Sequence, residues 1–470
     1  MRGARKRKRI KAEVTVFLSM LFVVILLFVS ALIQSSSIQQ SKTYSRAESE
    51  LAIQSMFAEY HKVLLEEFDI FAIEGTYETG VYSSENLVER FGVYATNQEL
   101  EISQMQLLTD SGAISFKQQM IAYVEGKYGL DSFTELFGEV STWEEQRTYG
   151  DEITIESEEQ VAQLVQEVGE SEGTLDTADN PLENLSAVKS MGILQLVVPD
   201  GMQVSSNTAQ VSTLPSNRTL MQGINSYQQS ESGITDTLLI SEYLLDHYKN
   251  MVDAKTASVT EGTQETQVGG LQYEIEYILE GGSSDKENLE GVVNKLLVMR
   301  TAVNYSCLQL SVAKKAEVSA LALSIATASG LPLIQPVLEQ TLLLGWAYGE
   351  SIIDIRSLLS GNRVEFVKTD ANWQLDLEGL MTLGQAQDLN VGQDVEAGLN
   401  YENYLKILLC LESQDSLVVR GLDMIEQRMN LTYGYTYFQV DYCITQLQFM
   451  ITDIVSNDYV YAYPVAFTYH

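Results

Sequence analysis

Basic residues, histidines and cysteines are scarce in this chain of 470 residues, and each scarcity closes a class of function. Lys and Arg total 29 against 64 Asp and Glu, a formal net charge of −35. Such a surface repels phosphate backbones and anionic headgroups, so nucleic acid is not expected as a partner. The three histidines, His61, His247 and His470, lie far apart, and none stands in a local motif with a Ser or Cys nucleophile and a carboxylate. The three cysteines, Cys307, Cys410 and Cys443, are odd in number, widely spaced and without a CxxC pair, so they form no disulfide framework. They read as small apolar side chains, or as one disulfide and one free thiol. A P-loop, a dinucleotide glycine fingerprint and an HExxH helix are all missing. No catalytic, cofactor-binding or metal-binding residue is therefore assigned, no cofactor or small-molecule substrate is identified, and an enzyme is not expected.

Charge and apolarity are concentrated at the start. Arg2, Arg5, Lys6, Arg7, Lys8, Arg9 and Lys11 precede an uncharged apolar run from Val14 to Ile33. Twenty residues of helix span about 30 Å, the thickness of a bilayer's hydrocarbon core. The basic flank predicts that residues 1–13 stay in the cytoplasm and that everything after Ile33 faces outward. Val29, Ser30 and Ala31 would suit a signal-peptide cleavage site. The run exceeds the usual h-region, however, and helix-compatible sequence continues past it, so a retained single-pass anchor in the cell membrane is expected. With seven bases and Glu13, the first thirteen residues carry +6, which leaves −41 on the remainder.

The periodicity predicts an α+β protein: an N-terminal transmembrane helix over 14–33, continuing as a long amphipathic neck helix within 34–75, then mixed helices and antiparallel strands. Ser35 to Phe71 contains neither proline nor glycine, and Leu51, Met56, Tyr60, Val63, Leu64 and Phe68 recur at helical spacing. Residues 76–143 read as mainly helical and 144–179 as an acidic linker with one short helix, Glu156 to Val168. Residues 180–470 read as a distal α+β region. Within it, strands are expected at Ile193–Val198, Leu271–Leu279, Val364–Lys368, Trp373–Leu377, Tyr437–Ile451 and Tyr459–Tyr469. Helices are expected at Ser241–Met251, from the Ser283–Asp285 cap to about Leu308, at Tyr401–Leu411 and at Leu417–Leu431, with two buried helices in 316–359. Val318 to Leu338 is nearly uncharged, but two prolines and the lack of flanking basic clusters argue against a second membrane passage.

Three groupings invite a chemical reading. Glu274 and Glu276, at i and i+2 of a strand, would stand about 6.6 Å apart, within the range of paired carboxylates in sugar hydrolysis. A solvated strand face is the plainer reading. Asp388 to Asp394 faintly suggests a calcium loop, but its glycine, Gly392, falls at position five and no closing Glu follows. Tyr459, Tyr461, Tyr463, Val465, Phe467 and Tyr469 share one strand face, which could stack on sugar or could be half-buried in a sheet.

Several blocks resemble a known family. Ser49–Tyr60 followed by His61–Gly75, Leu271–Leu289, Trp346–Gly361 and Tyr401–Leu409 are similar to an uncharacterised, membrane-anchored family of Gram-positive bacteria. That resemblance implies a TadE/TadG-like N-terminal anchor, an exported domain and association with tight-adherence (Flp-type) pilus systems. Pilin-type precursors place a Glu at the fifth position of the mature apolar helix, whereas here Glu13 directly precedes the run. The resemblance therefore implies a minor pilin-like accessory role rather than a major filament subunit.

The expected function is a non-enzymatic, membrane-anchored, extracytoplasmic structural or assembly component of a pilus or secretion apparatus. Its expected partners are membrane lipid, through residues 14–33, and proteins of that apparatus. The alternatives are a cell-surface adhesin or glycan-binding protein, from the tyrosine face, and a cell-envelope hydrolase, from Glu274 and Glu276.

Overall fold

A computed structural model describes residues 12–95, 99–128, 184, 188–199, 201–226, 234–254, 270–328, 330, 332–385, 388, 390–455 and 459–469. The expected acidic linker at 144–179, with its short helix, lies outside the described residues, as does His470.

Helix α1, Ala12–Phe57, is 46 residues long, or about 69 Å. No helix breaker interrupts it. Its 18-residue apolar window has a mean hydropathy of 3.1 and is 0% buried, and among the described residues this is the one helix long and apolar enough to cross a membrane. The expected rod to Phe71 ends early. Helix α2, Lys62–Phe68, restarts after His61, whose Nδ1 accepts from the Leu64 N–H at 3.3 Å. Asp69 closes it in the left-handed region at φ 52°.

Strand β1 (Ile73–Glu74), α3 (Ser84–Tyr94), β2 (Glu99–Leu107) and α4 (Asp110–Tyr128) follow. Strand β2 lies between two helices in the region expected to be mainly helical; its Leu100 and Ile102 alternate with Glu99 and Glu101, a period of two. The body is then built from α5 (Ile193–Val197), α6 (Ile234–His247), α7 (Glu274–Glu280), α8 (Asp285–Leu310), α9 (Val312–Ala328), α10 (Gln335–Leu359), α11 (Leu377–Thr382), α12 (Tyr401–Leu411) and α13 (Gln414–Leu431). Strands β3 (Cys443–Val455) and β4 (Tyr459–Thr468) end the chain.

Four expected strands are corrected. Ile193–Val197 is helical, Leu271–Tyr273 leads directly into helix α7, and Leu377 opens helix α11. Of the strand pair around Val364, a single bridge to Leu399 remains. In 316–359, α10 is buried along its second half, but α9 buries only Val318, Ala322, Ile325 and Ala326.

One antiparallel sheet gathers the four strands of the described residues, with β3 central, β2 on one side, and β1 and β4 on the other. It joins segments from both ends of the described chain, so it crosses the expected division between 76–143 and 180–470. Two cores result. The smaller lies between the sheet and α1, with Ile53, Phe57, Phe91, Phe449, Ile451 and Tyr463. The larger fills the helical body, with Phe68, Phe116, Tyr277, Trp346 and Leu422 among its members.

Candidate functional site

The second half of α1 is fixed to β4 by side chains whose sizes match. Ser45 and Ser49, one turn apart, leave room for an aromatic ring against the helix. The Tyr463 hydroxyl fills it, 2.9 Å from the Oγ of each serine. Ser45 also donates to Asp453 of β3. Lys42 Nζ lies 4.8 and 4.6 Å from the ring centres of Tyr459 and Tyr461, and the Arg46 guanidinium 5.5 and 5.6 Å from those of Tyr461 and Tyr463. At the far end, Phe57 packs 4.6 Å from Phe467, and Tyr469 donates its hydroxyl to the Phe57 carbonyl. The tyrosine face expected from the sequence is thus one face of β4, and α1 covers it.

The densest polar grouping lies inside the body. Arg300 of α8 and Asp354 and Glu350 of α10 are fully buried, and Lys368 nearly so. Arg300 donates to Asp354 Oδ2 from Nε at 3.0 Å and from Nη2 at 2.8 Å, to the Phe366 carbonyl at 2.6 Å and to the Tyr404 hydroxyl at 3.1 Å. Lys368 bridges Glu350 and Asp354. Glu350 also accepts the N–H groups of Gln374 at 2.9 Å and Leu375 at 2.6 Å. Burial alone would raise the Asp354 carboxyl, but Arg300 and Lys368 outweigh it and hold it below its ordinary value. Two charges of each sign close on themselves and tie the chain between Phe366 and Leu375 to α8 and α10. The arrangement is a staple: every charge faces protein.

The other carboxylates singled out by sequence are also committed to the fold. Glu274 accepts the Lys249 N–H at 2.8 Å and pairs with Arg428 at 2.5 Å. Glu276 accepts the Met251 N–H at 2.9 Å and the Tyr401 hydroxyl at 2.8 Å, and burial pushes its carboxyl up to about 7. They occupy the first turn of α7, not a strand, and neither faces solvent. The hydrolase reading loses its geometry there. Asp388 accepts from the Gly384 N–H at 2.8 Å and pairs with Arg356 at 2.8 Å, while Asp394 pairs with Arg363 at 2.7 Å. Their oxygens hold guanidinium groups. Among the described residues no three His, Cys, Asp or Glu side chains gather as metal ligands. His247 stacks on Tyr243 at 4.1 Å, with Nε2 3.1 Å from Asp69. All three cysteines are free thiols, Cys443 buried and the others half-buried.

Sequence reasoning passed over Arg300, Glu350, Asp354 and Lys368. Two carried a signal. Arg300 falls on the same helical stripe as Val293, Leu296, Leu297 and Val303, and Asp354 sits inside Ile352-Ile353-Asp354-Ile355. A charge on an apolar stripe is a buried charge in want of a partner.

No curated protein and no solved structure matches the chain. The model of a family of unknown function, DUF5702, matches residues 171–452, more than half of the sequence and all of the helices α5 to α13 with most of β3. The chain, with its buried charge staple in that span and its apolar helix ahead of it, belongs to the family of unknown function DUF5702.

Proposed function

We propose that this protein is a non-enzymatic, single-pass membrane protein that holds an acidic structural domain outside the cell, as an accessory component of a pilus or secretion apparatus. Residues 14–33 lie in lipid, residues 1–13 in the cytoplasm, and the sheet and helical body outside. One observation carries the reading: α1 is a single helix whose apolar first half is left unburied by the described residues and whose second half is bolted to β4. A cleavable leader has no use for such a joint, because cutting near Leu32 would leave the docked half of the helix behind with no anchor. A continuous helix transmits the orientation of a membrane span to the body, as an assembly component requires. The −41 charge beyond residue 13 favours partners with basic surfaces.

The test is cross-linking of the full chain in its native membranes, followed by affinity capture in detergent and mass spectrometry. Recovery of pilin or secretion-platform proteins at stoichiometric levels is expected. Recovery of the anchored chain with no assembly protein would contradict the assembly role and leave the anchor standing.

A further inference from the structure

Beyond its apolar run, α1 serves as a ruler. Lys42 follows Ile33 by nine residues of unbroken helix, about 13 Å. A helical side chain leans back over the turn before its own Cα, so the Lys42 ammonium stands about one turn lower, about 8 Å past Ile33. That ammonium donates to the Tyr459 hydroxyl at 3.3 Å and lies 4.8 and 4.6 Å from the ring centres of Tyr459 and Tyr461. From there β4 rises beside α1, reaching Phe57 at Phe467. The strand covers about 26 Å between Tyr459 and Phe467 and the helix about 22 Å between Lys42 and Phe57, so the two run nearly parallel. The end of the sheet that holds Tyr459, Val460 and Ile454 is therefore the end nearest the apolar run.

We infer that this end of the sheet, Tyr459, Val460 and Ile454 with Lys42, seats in the lipid headgroup layer of the outer leaflet and forms a second membrane contact beside α1. The inference rests on the anchoring of residues 14–33 in lipid. The headgroup layer reaches about 5–8 Å beyond the hydrocarbon on each side, the level at which the Lys42 ammonium and the Tyr459 hydroxyl stand. Tyr and Lys suit that level: a ring or an alkyl stem rests on apolar matter while its hydroxyl or ammonium meets water and phosphate. Apolar side chains are exposed on both faces of this end. Ile454 is 71% exposed, its cross-strand neighbour Val460 59%, and Tyr459, on the α1 side, 45%. At the other end of the sheet, the face shared by Ile454 and Gln446 is closed by protein, with Gln446 and Gln106 buried. Among the described residues, the nearest acids of the sheet, Asp453 and Glu99, stand one and two rows further from the lipid, and Asp453 accepts from Ser45.

A contact beside the helix axis does what one span cannot. A lone helix turns about its axis and tilts, and interfacial Tyr and Lys side chains fix both. Here those side chains sit on β4 and on α1 at their joint, so the tilt of the span and the attitude of the body are set together. A small area suffices, because the span already holds the chain at the surface and the second contact forms within one molecule.

The test is fluorescence quenching of full chains carrying Val460→Cys or Ile454→Cys, labelled with a thiol-reactive fluorophore and reconstituted in phosphatidylcholine vesicles. The quenchers are phosphatidylcholines bearing a nitroxide on the headgroup or in mid-chain. The unsubstituted chain, with its own three thiols, gives the background. Leu51→Cys, exposed on α1 about 27 Å past Ile33, is the distant reference, and Leu27→Cys reports the span. The labels at Val460 and Ile454 should lose most of their emission to the headgroup quencher, while the label at Leu51 stays at background and that at Leu27 is quenched from mid-chain. Quenching at Val460 and Ile454 no stronger than at Leu51, with Leu27 quenched from mid-chain, would overturn the seating while sparing the anchor. A Leu27 label untouched by the mid-chain quencher would overturn the anchor and the seating with it.

Discussion

In the helical body, polar groups enter the core as full charges; in the sheet against α1 they enter as hydroxyls. Arg300, Asp354, Lys368 and Glu350 are buried among the helices and satisfied by one another, by the side chains of Asn304 and Tyr404 and by nearby backbone. Ser45, Ser49 and Tyr463 do the corresponding work at the neck with neutral groups, helped by cations over aromatic rings. The two solutions differ in what they fix. The charges pin an irregular stretch, Phe366 to Leu375, that has no ladder of its own. The hydroxyls lock two regular elements, whose backbone bonds are already made, at one height relative to each other. Losing one buried charge strands its partners in a low dielectric, whereas losing the Tyr463 hydroxyl leaves Ser45 bonded to Asp453 and Ser49 to the Ser45 carbonyl.

That contrast can be broken in order of size. Asp354→Ala leaves Arg300 buried without a counter-charge and Lys368 with Glu350 alone, and should cost about 3–5 kcal/mol, read as a lower unfolding midpoint of the full chain in detergent. A loss under 1 kcal/mol would mean that the staple relaxes or admits water.

Next comes pH. Burial pushes Glu276 up to about 7 and Asp423, beside Tyr277, to about 6. Both values lie above those of an unfolded chain, so the stability they contribute is full at low pH and is lost as pH rises through about 6 to 7. The unfolding midpoint should therefore climb from pH 8 to pH 5. Glu276→Gln should flatten that climb and make the chain more stable than wild type at pH 8, by up to about 3 kcal/mol. A midpoint that falls between pH 8 and pH 5 would refute the assignment.

Tyr463→Phe should cost about 1 kcal/mol and speed amide exchange over Arg46–Phe57 and β4, with the helical body unchanged. Lys42→Ala should cost least, about 0.5 kcal/mol, since its ammonium sits over rings at an exposed edge. Equal losses for Tyr463→Phe and Asp354→Ala would erase the distinction between the two regions.

The sequence made some of this legible, for reasons that particular residues show. Helix α12 has the expected bounds, Tyr401–Leu411; in the structure it buries Tyr404, Leu405 and Leu408, and Asn400 caps it with a reciprocal bond from Asn403. The start of α8 was marked by the cap at Ser284. The apolar rod and the tyrosine face were visible as composition and as period two. Helix α7 was misread because every residue from Tyr273 to Leu279 is buried, which erases the amphipathic signal, and because Glu274 and Glu276 looked like a wet face while holding the backbone at Lys249 and Met251. Helix α5 is a five-residue apolar run, for which period does not separate helix from strand. The break after Phe57 carries no proline or glycine; it is enforced by the capping of α2 through His61 and by the Ala72 carbonyl, which accepts the His61 N–H at 2.9 Å. The charge staple was hidden because its partners come from α8, α10 and the chain between α10 and α11, a closeness set only by tertiary packing.

The most direct test of the central claim, that one helix runs unbroken from lipid into the body, is the intact mass of the protein from carbonate-washed cell membranes. The account predicts the whole 52.4 kDa chain in the membrane pellet. A soluble product lacking its first thirty or so residues, with the pellet empty, would contradict it.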